Sequence, residues 1–206
     1  MPTPTPSLLP QSDAALVEAF RRGDEFAFAS LYERYKGPVY GYCAKMVGSR
    51  ETGQDLLQET FARAYEHRER LVATASFKAW LFTIARNQCL NWLRRAGREV
   101  PFPVDAPEPT GTGPTPFTAL LRSEQAALVN RTLAGLSAEY REVVVLREYQ
   151  NLSYDEIAAV TKTTVSSVKS RLFKARRKIA AALRPWLGPP DTAPMPAALA
   201  SGPPIP

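Results

Sequence analysis

Proline limits what this chain can fold into more than any other residue. Of its 19 prolines, all but Pro38 and Pro185 fall in three clusters. These are MPTPTPSLLP at the start, VPFPVDAPEPTGTGPTPF from Val100, and GPPDTAPMPAALASGPPIP from Gly188. Proline has no backbone donor for a helix or a ladder, and the clusters carry no helical or alternating apolar pattern. Each is therefore expected to be extended or disordered. Two blocks remain, residues 13–98 and 118–187, flanked by tails 1–12 and 188–206 and joined by a flexible linker, 99–117. Neither block alternates as a strand would. Both read as helical, which predicts an all-α chain of two helical domains.

Local signals place the helices. In the first block Ser12 is a natural N-cap and Gly23 a stop. Asp24 caps a second helix in which Phe28, Leu31, Tyr32 and Tyr35 keep helical spacing, and Gly37-Pro38 is expected to kink or break it. A third helix, RETGQDLLQETFARAYEHRERL, puts Leu57, Phe61, Ala64 and Arg68 on one side. A fourth starts at the Ser76 cap, turns Leu81, Ile84, Ala85 and Leu93 to a core, and ends at Gly97. The second block opens with FTALLRSEQAALVNRTLAGL. Ser137 then caps AEYREVVVLREYQ, and Asn151 suits a left-handed stop. Ser153 and Glu156 form a capping box for a short helix ending near Val160. Thr164 caps a last helix that can run to Leu183.

Composition narrows the chemistry. Lys and Arg total 26 against 20 Asp and Glu, and the pI is near 9.5, which favours an anionic partner. Cys43 and Cys89 are isolated and His67 is the one histidine, so a tetrahedral zinc site is not expected. Both cysteines sit in apolar surroundings and read as buried core thiols. No apolar run approaches the ~20 residues of a membrane span. The N-terminus lacks the basic and apolar regions of a signal peptide, so the expected location is cytoplasmic, without membrane insertion.

The charge is concentrated near the end of the second block. After Glu156 no acidic residue occurs until Asp191, while Lys162, Lys169, Arg171, Lys174, Arg176, Arg177 and Lys178 accumulate. A short helix, a three- to four-residue turn and a second helix make a helix-turn-helix. Ile157, Ala158 and Val160 can pack against Val165, Val168, Leu172 and Ile179. The outer side of the last helix then offers Ser166, Ser167, Lys169, Ser170 and Arg171 to phosphates and base edges of a major groove. Lys174, Arg176 and Arg177 follow as phosphate contacts. The competing reading is a solvated basic helix in a bundle.

On these residues the stretch LSAEYREVVVLREYQNLSYDEIAAVTKTTVSSVKSRLFKARRKI resembles the promoter-binding fourth domain of bacterial sigma factors. QDLLQETFARAY resembles the sigma segment that docks on the core RNA polymerase clamp, and SFKAWLFTIARNQCLNWLRR the segment that melts and reads the minus-ten element. With no third domain between them, the chain is similar to the extracytoplasmic-function (ECF) group of the sigma-70 family.

The resemblance implies an initiation subunit, not an enzyme, with no cofactor and with core RNA polymerase and promoter DNA as partners. It also implies an anti-sigma factor. Asp55, Leu56, Gln58, Glu59 and Phe61 would meet the polymerase; Asp55 and Glu59, four apart on a helix, project from one side. Lys78, Trp80, Asn87, Asn91, Arg94 and Arg95 would read the minus-ten element, amides hydrogen-bonding freed bases and arginines tracking the backbone. Thr164, Ser166, Ser167, Lys169, Ser170, Arg171, Lys174, Arg176 and Arg177 would bind the minus-35 element. The linker, with Asp105 and Glu108, would thread along polymerase channels. A free-standing helix-turn-helix regulator is the alternative, and it leaves the Asp55–Phe61 face unexplained; a protein-binding regulator, whose basic residues serve only solubility, is a third and predicts weak DNA binding with little salt dependence. The chain departs from the family at Asn91, where aspartate is common, and at Trp92, near which the family has arginine. It departs again at Lys162, where glycine is common; a left-handed lysine costs on the order of 1 kcal/mol.

Overall fold

A computed structural model describes residues 12–71, 76–96 and 126–186. Residues 1–11 of the first tail, residues 97–125 with the linker's Asp105 and Glu108, and residues 187–206 lie outside the described residues, as do residues 72–75 of the loop before Ser76. Among the described residues the chain is helical throughout. The first block holds α1 (Asp13–Arg21), α2 (Glu25–Val47), α3 (Arg50–Glu66), a short 3-10 turn (Arg68–Arg70) and α4 (Phe77–Ala96). The second holds α5 (126–134), α6 (Ala138–Val144), α7 (Tyr154–Thr161), α8 (Val165–Leu183) and a closing 3-10 turn (Arg184–Trp186).

The caps follow the sequence closely. The amide of Ala15 donates to Ser12, that of Ala27 to Asp24 and that of Ala79 to Ser76. Ser49 caps α3 in the same way. Gly23 has the left-handed φ of 87° that its role as a stop requires. Ser153 and Glu156 form both halves of the capping box. Ser137 occupies the N-cap of α6, but its hydroxyl makes no cap hydrogen bond.

The expected break at Gly37-Pro38 does not occur, and α2 runs unbroken from Glu25 to Val47 with Pro38 inside it. A proline inside a helix costs roughly 3 kcal/mol. On either side of it α2 buries Leu31 and Tyr35, then Val39, Tyr42, Cys43, Met46 and Val47. At ~1.5–3 kcal/mol for each large side chain, that burial decides the outcome. Gly37 and Pro38 are exposed, where water can serve the carbonyl left without a partner.

Two further expectations shift. α3 ends at Glu66, so Arg68 is not on its core face; it lies half-buried in the 3-10 turn, 4.6 Å from the Tyr65 ring. The helix from Ser137 does not stay α-helical to Gln150 but widens into a π turn over Val145–Tyr149. Ile84 and Leu93 are only partly buried, whereas Leu81 and Ala85 are fully so.

The first block centres on α2, against which α1, α3 and α4 pack. Phe20, Phe28, Phe61, Tyr65 and Phe77 form its aromatic layer, with rings 5.1–6.4 Å apart. The α2–α3 crossing is close at Gly53, where a Cβ would stand 2.9 Å from the Ala44 Cα. In the second block α6, α7 and α8 enclose Val143, Leu146, Ile157, Val160, Val168 and Leu172.

The two blocks do not stand apart. α4 packs on α7, and α2 packs on α6 and its π turn, so one apolar core runs through both. The seam holds a buried ion pair between Arg86 of α4 and Glu142 of α6, with the Tyr42 hydroxyl donating to Glu142 at 3.4 Å. Arg141, also buried, donates to the Leu133 and Ala134 carbonyls in the last turn of α5, to that of Leu136 just after it, and to the Met46 carbonyl near the end of α2. One guanidinium thus serves carbonyls at the ends of two helices, where the ladder of helical amides runs out.

Candidate nucleic-acid interface

α8 provides the clearest face. Its core side is Val168, Leu172 and Ala175, with Ile179 packed alongside. At 3.6 residues per turn, Ser166, Ser170 and Arg177 fall on the opposite side and Lys169 at its edge, its ammonium 5.9 Å from the Tyr154 ring; all four are exposed. Phe173 lies in the middle of that stripe, 63% exposed, with the Arg177 guanidinium 5.9 Å from its ring. The sequence reading missed it. The signal was there, because position 173 falls by helical spacing on the polar face, where an apolar side chain has no core to fill. An exposed phenyl among hydroxyls and cations can touch a thymine methyl or a sugar.

The remaining candidates on α8 have other duties. Thr164 caps the helix, accepting from the Ser167 amide at 3.2 Å, and Ser167 is half-buried. Arg171 is half-buried and paired with Glu139 at 3.3 Å. Arg176 is paired with Glu148 at 2.6 Å, and that hydrogen bond raises its pKa. These two arginines flank the core stripe and tie α8 to both ends of the α6–π segment. Lys174 is exposed beside the central face. The turn before α8 is held by Lys162 in the left-handed region, φ 54° and ψ 46°, so the lysine adopts what glycine would supply.

On α4, Trp80, Asn87, Asn91, Arg94 and Arg95 share one side of the helix. Asn87, Arg94 and Arg95 are exposed. Asn91 is half-buried and accepts from the Arg94 guanidinium. Trp80 is half-buried against the core, its ring 5.9 Å from that of Phe77, so it is both a packing residue and a wall of the face. Lys78 is a correction. It stands on the opposite side of α4, on the stripe that continues through Phe82 to Arg86, and donates to the Gln150 carbonyl of the second block. That position is dictated by the apolar stripe of α4, which faces the seam.

On α3, Asp55, Gln58 and Glu59 form an exposed acidic and amide face, with Glu59 held by Arg63 at 3.0 Å. Leu56 and Phe61 do not join it. Both are buried, because Gly53, Leu56, Leu57, Thr60, Phe61 and Ala64 are the core stripe of α3. Phe61 packs edge-on against Tyr32 at 4.8 Å. Between this face and that of α4 lies a small cavity of about 100 Å³, lined by Leu56, Glu59, Arg63, Gln88, Asn91, Trp92 and Arg95.

Buried titratable groups lie at the seam rather than on these faces. Burial raises the Glu142 carboxyl above its ordinary range, opposed by Arg86 and by the hydrogen bonds from Arg86 and Tyr42. Burial likewise raises the Tyr42 phenol and the Cys89 thiol, which adjoins Cys43. Glu156 moves down: partial burial works against its charge, but hydrogen bonds from the Ser153 amide and from the Ser76 and Ser153 hydroxyls outweigh it. Among the described residues no helix is long and apolar enough to cross a membrane.

Comparison with known proteins accounts for both blocks in order. Residues 31–99 match the family model for sigma-70 region 2, and residues 126–179 match that for sigma-70 region 4. The RNA polymerase sigma-H factor of Pseudomonas aeruginosa is 35% identical over 189 residues, covering 87% of this chain and 98% of that relative. The ECF RNA polymerase sigma-E factor of Haemophilus influenzae is 35% identical over 185 residues, covering 85% and 97%. Among solved structures, CnrH in complex with the cytosolic domain of CnrY superposes with a TM-score of 0.67 at 26% identity, covering 85% of this chain and 99% of that one. The sigma factor RpoE of Bartonella quintana, solved with the anti-sigma factor NepR, shares the fold at a TM-score of 0.63 and 24% identity, covering 76% and 96%.

Proposed function

This chain belongs to the extracytoplasmic-function group of the sigma-70 family and directs RNA polymerase to promoters, and from that premise we propose how its residues divide the work. Residues 13–98 form the unit that binds core polymerase through the exposed Asp55, Gln58 and Glu59. The same unit captures the minus-ten element along Trp80, Asn87, Asn91, Arg94 and Arg95. Residues 118–187 form the unit that enters the major groove of the minus-35 element. There Ser166, Lys169, Ser170, Phe173 and Arg177 meet bases and adjacent phosphates, and Lys174 adds a phosphate contact. Arg171 and Arg176 orient the helix from its flanks. The linker 99–117 joins the two units. The protein acts in the cytoplasm as a dissociable subunit rather than an enzyme, and an anti-sigma factor is a further partner.

The observation that carries this division is the exposed stripe of α8, opposite its core and continuous over more than two turns. A free-standing DNA-binding regulator would use that stripe equally. It would give no role to the region 2 match or to the exposed α3 face. The test is run-off transcription by core bacterial RNA polymerase on a library of random promoters, with and without this protein. The expected result is protein-dependent transcripts sharing two spaced upstream motifs. Absence of transcripts and of core binding would refute the reading, and DNA binding that survived would point to the free-standing regulator.

A further inference from the structure

We propose that the π turn Val145–Tyr149 is a positioning device for the recognition helix: through Arg147, Glu148 and Tyr154 it fixes the rotation of α8 and the reach of Lys169, and so sets base selectivity at the minus-35 element. The inference rests on the division of labour above and deepens it. Wide turns are uncommon inside helices and are found frequently at functional sites. This one is defined by the Gln150 amide, which donates to the Val145 carbonyl five residues back at 3.2 Å. Its consequence is rotational. Glu139 and Glu148 are nine residues apart, and in an unbroken α-helix they would stand about half a turn apart, on opposite sides. A wide turn absorbs about one extra residue, which sets Glu148 back by up to about 100°. Both carboxylates then reach the same helix. Glu139 pairs with Arg171 at 3.3 Å and Glu148 with Arg176 at 2.6 Å. Arg171 and Arg176 lie about 140° apart around α8, one on each side of the stripe of Val168, Leu172 and Ala175. Holding both flanks resists rolling of the helix in either direction.

The same turn arranges the side of α8 that carries Lys169. Arg147, the neighbour of Glu148, donates to the Leu152 carbonyl at 2.8 Å and lies 5.0 Å from the Tyr154 ring. The Lys169 ammonium stands 5.9 Å from that same ring. Lys169 and Arg176, seven residues apart, fall on one flank of α8. One ring thus meets a cation of the turn and a cation of the recognition face, beside the flank that Glu148 holds. All of these groups belong to the second unit. Stability is not what the Glu148 pair contributes. The side chains of Arg176 and Glu148 are 54% and 47% exposed, and exposed ion pairs add little. Nor does Glu148 help through its charge, because a carboxylate this close to a phosphate-binding face opposes DNA. What remains is orientation. A base contact depends on where the side chain is placed, whereas phosphate contacts carry no sequence information.

The test compares Glu148→Gln with wild type in the full chain. Affinity is measured for a duplex carrying the upstream motif returned by the run-off library and for a scrambled duplex. The expected result is a loss of about five- to tenfold on the motif, with affinity for the scrambled duplex unchanged or tighter. The sign is diagnostic, because removing a negative charge near phosphates would by itself tighten binding to both. Tyr154→Leu, which removes the ring, is expected to relax selectivity in the same way. Tyr154→Phe keeps the ring and is expected to keep wild-type selectivity. Tighter or unchanged binding of Glu148→Gln to both duplexes would show that Glu148 acts at most as a charge. Equal loss on both would show that it only supports the fold. Either result overturns the proposal. A wild-type chain that did not distinguish the two duplexes would instead refute the helix-turn-helix reading itself.

Discussion

α8 has 19 residues and buries only Val168, Leu172 and Ala175, whereas α4 has 20 and buries seven, on sides facing both α3 and the second unit. The difference decides what each helix can devote to DNA. On α8 one narrow stripe holds the fold, flanked by Arg171 and Arg176 in their ion pairs, and the opposite side is free for recognition. On α4 the recognition stripe lies between two packed sides, so Trp80 and Asn91 are half-buried and Lys78 is drawn into the seam. A helix gripped on two sides positions its read-out rigidly but with few residues. A helix gripped on one side presents many.

The largest expected effect separates the two helices by stability. Phe82 is fully buried on α4, its ring 5.4 Å from that of Tyr42. Phe82→Ala is expected to cost about 3–5 kcal/mol in chemical denaturation. Phe173→Ala, an aromatic truncation of the same size on the free side of α8, is expected to stay within about 0.5 kcal/mol. Equal losses would mean that α8 is gripped as α4 is.

The next effect separates them by function. Phe173→Ala is expected to weaken binding to a minus-35 duplex about 10- to 100-fold, as for the loss of one good base contact. Asn87→Ala is expected to leave that affinity unchanged and to lower run-off transcription, because its stripe meets the other element. Arg177→Ala should reduce the slope of log affinity against log salt by about 0.9 if it neutralises one phosphate. A variant that altered both assays equally would erase the distinction.

Much of this was legible in sequence, and the reasons differ between the helices. α8 was readable because one-sided burial leaves a plain 3.6-residue period, and because Thr164, Ser153 and Glu156 are chemically suited to caps. Phe173 was missed because only polar and charged side chains were considered for the outer face, although its helical phase places it there. Leu56 and Phe61 were assigned to a partner surface because adjacency in a motif was allowed to outrank helical phase. The seam was invisible: Arg86, Glu142 and Tyr42 are distant in sequence, and nothing local distinguishes them from solvated residues. Continuity through Pro38 was likewise a tertiary result, set by burial on both sides of it.

A smaller effect concerns the seam. Glu142 faces Tyr42 from α2, Arg86 and Cys89 from α4, and Arg171 from α8. Burial raises its pKa in the docked chain above the ordinary 4.5, so docking binds protons. The sign follows: the contribution to docking is full below 4.5 and is lost as pH climbs through the raised value. The docked fraction, followed by energy transfer between dyes on the two units, should fall as pH rises, and Glu142→Gln should flatten that dependence. An opposite slope would show that Arg86 outweighs burial.

The smallest effect is at the turn that launches α8. Lys162 and Asn151 both have left-handed φ, 54° and 53°. Left-handed backbone costs a lysine roughly 1–2 kcal/mol, whereas asparagine tolerates it. Glycine removes that strain but adds unfolded-chain entropy worth about 0.4–1 kcal/mol. Lys162→Gly should therefore gain about 0.5 kcal/mol net, the strain relieved less the entropy added. Asn151→Gly should gain nothing or lose slightly. Thermal unfolding of the two variants side by side checks the difference. Lys162 precedes the exposed stripe of α8, so minus-35 affinity should be unchanged while the turn is stabilised. A loss of affinity with the stability gain would mean that the lysine itself touches DNA, and would extend the recognition face into the turn.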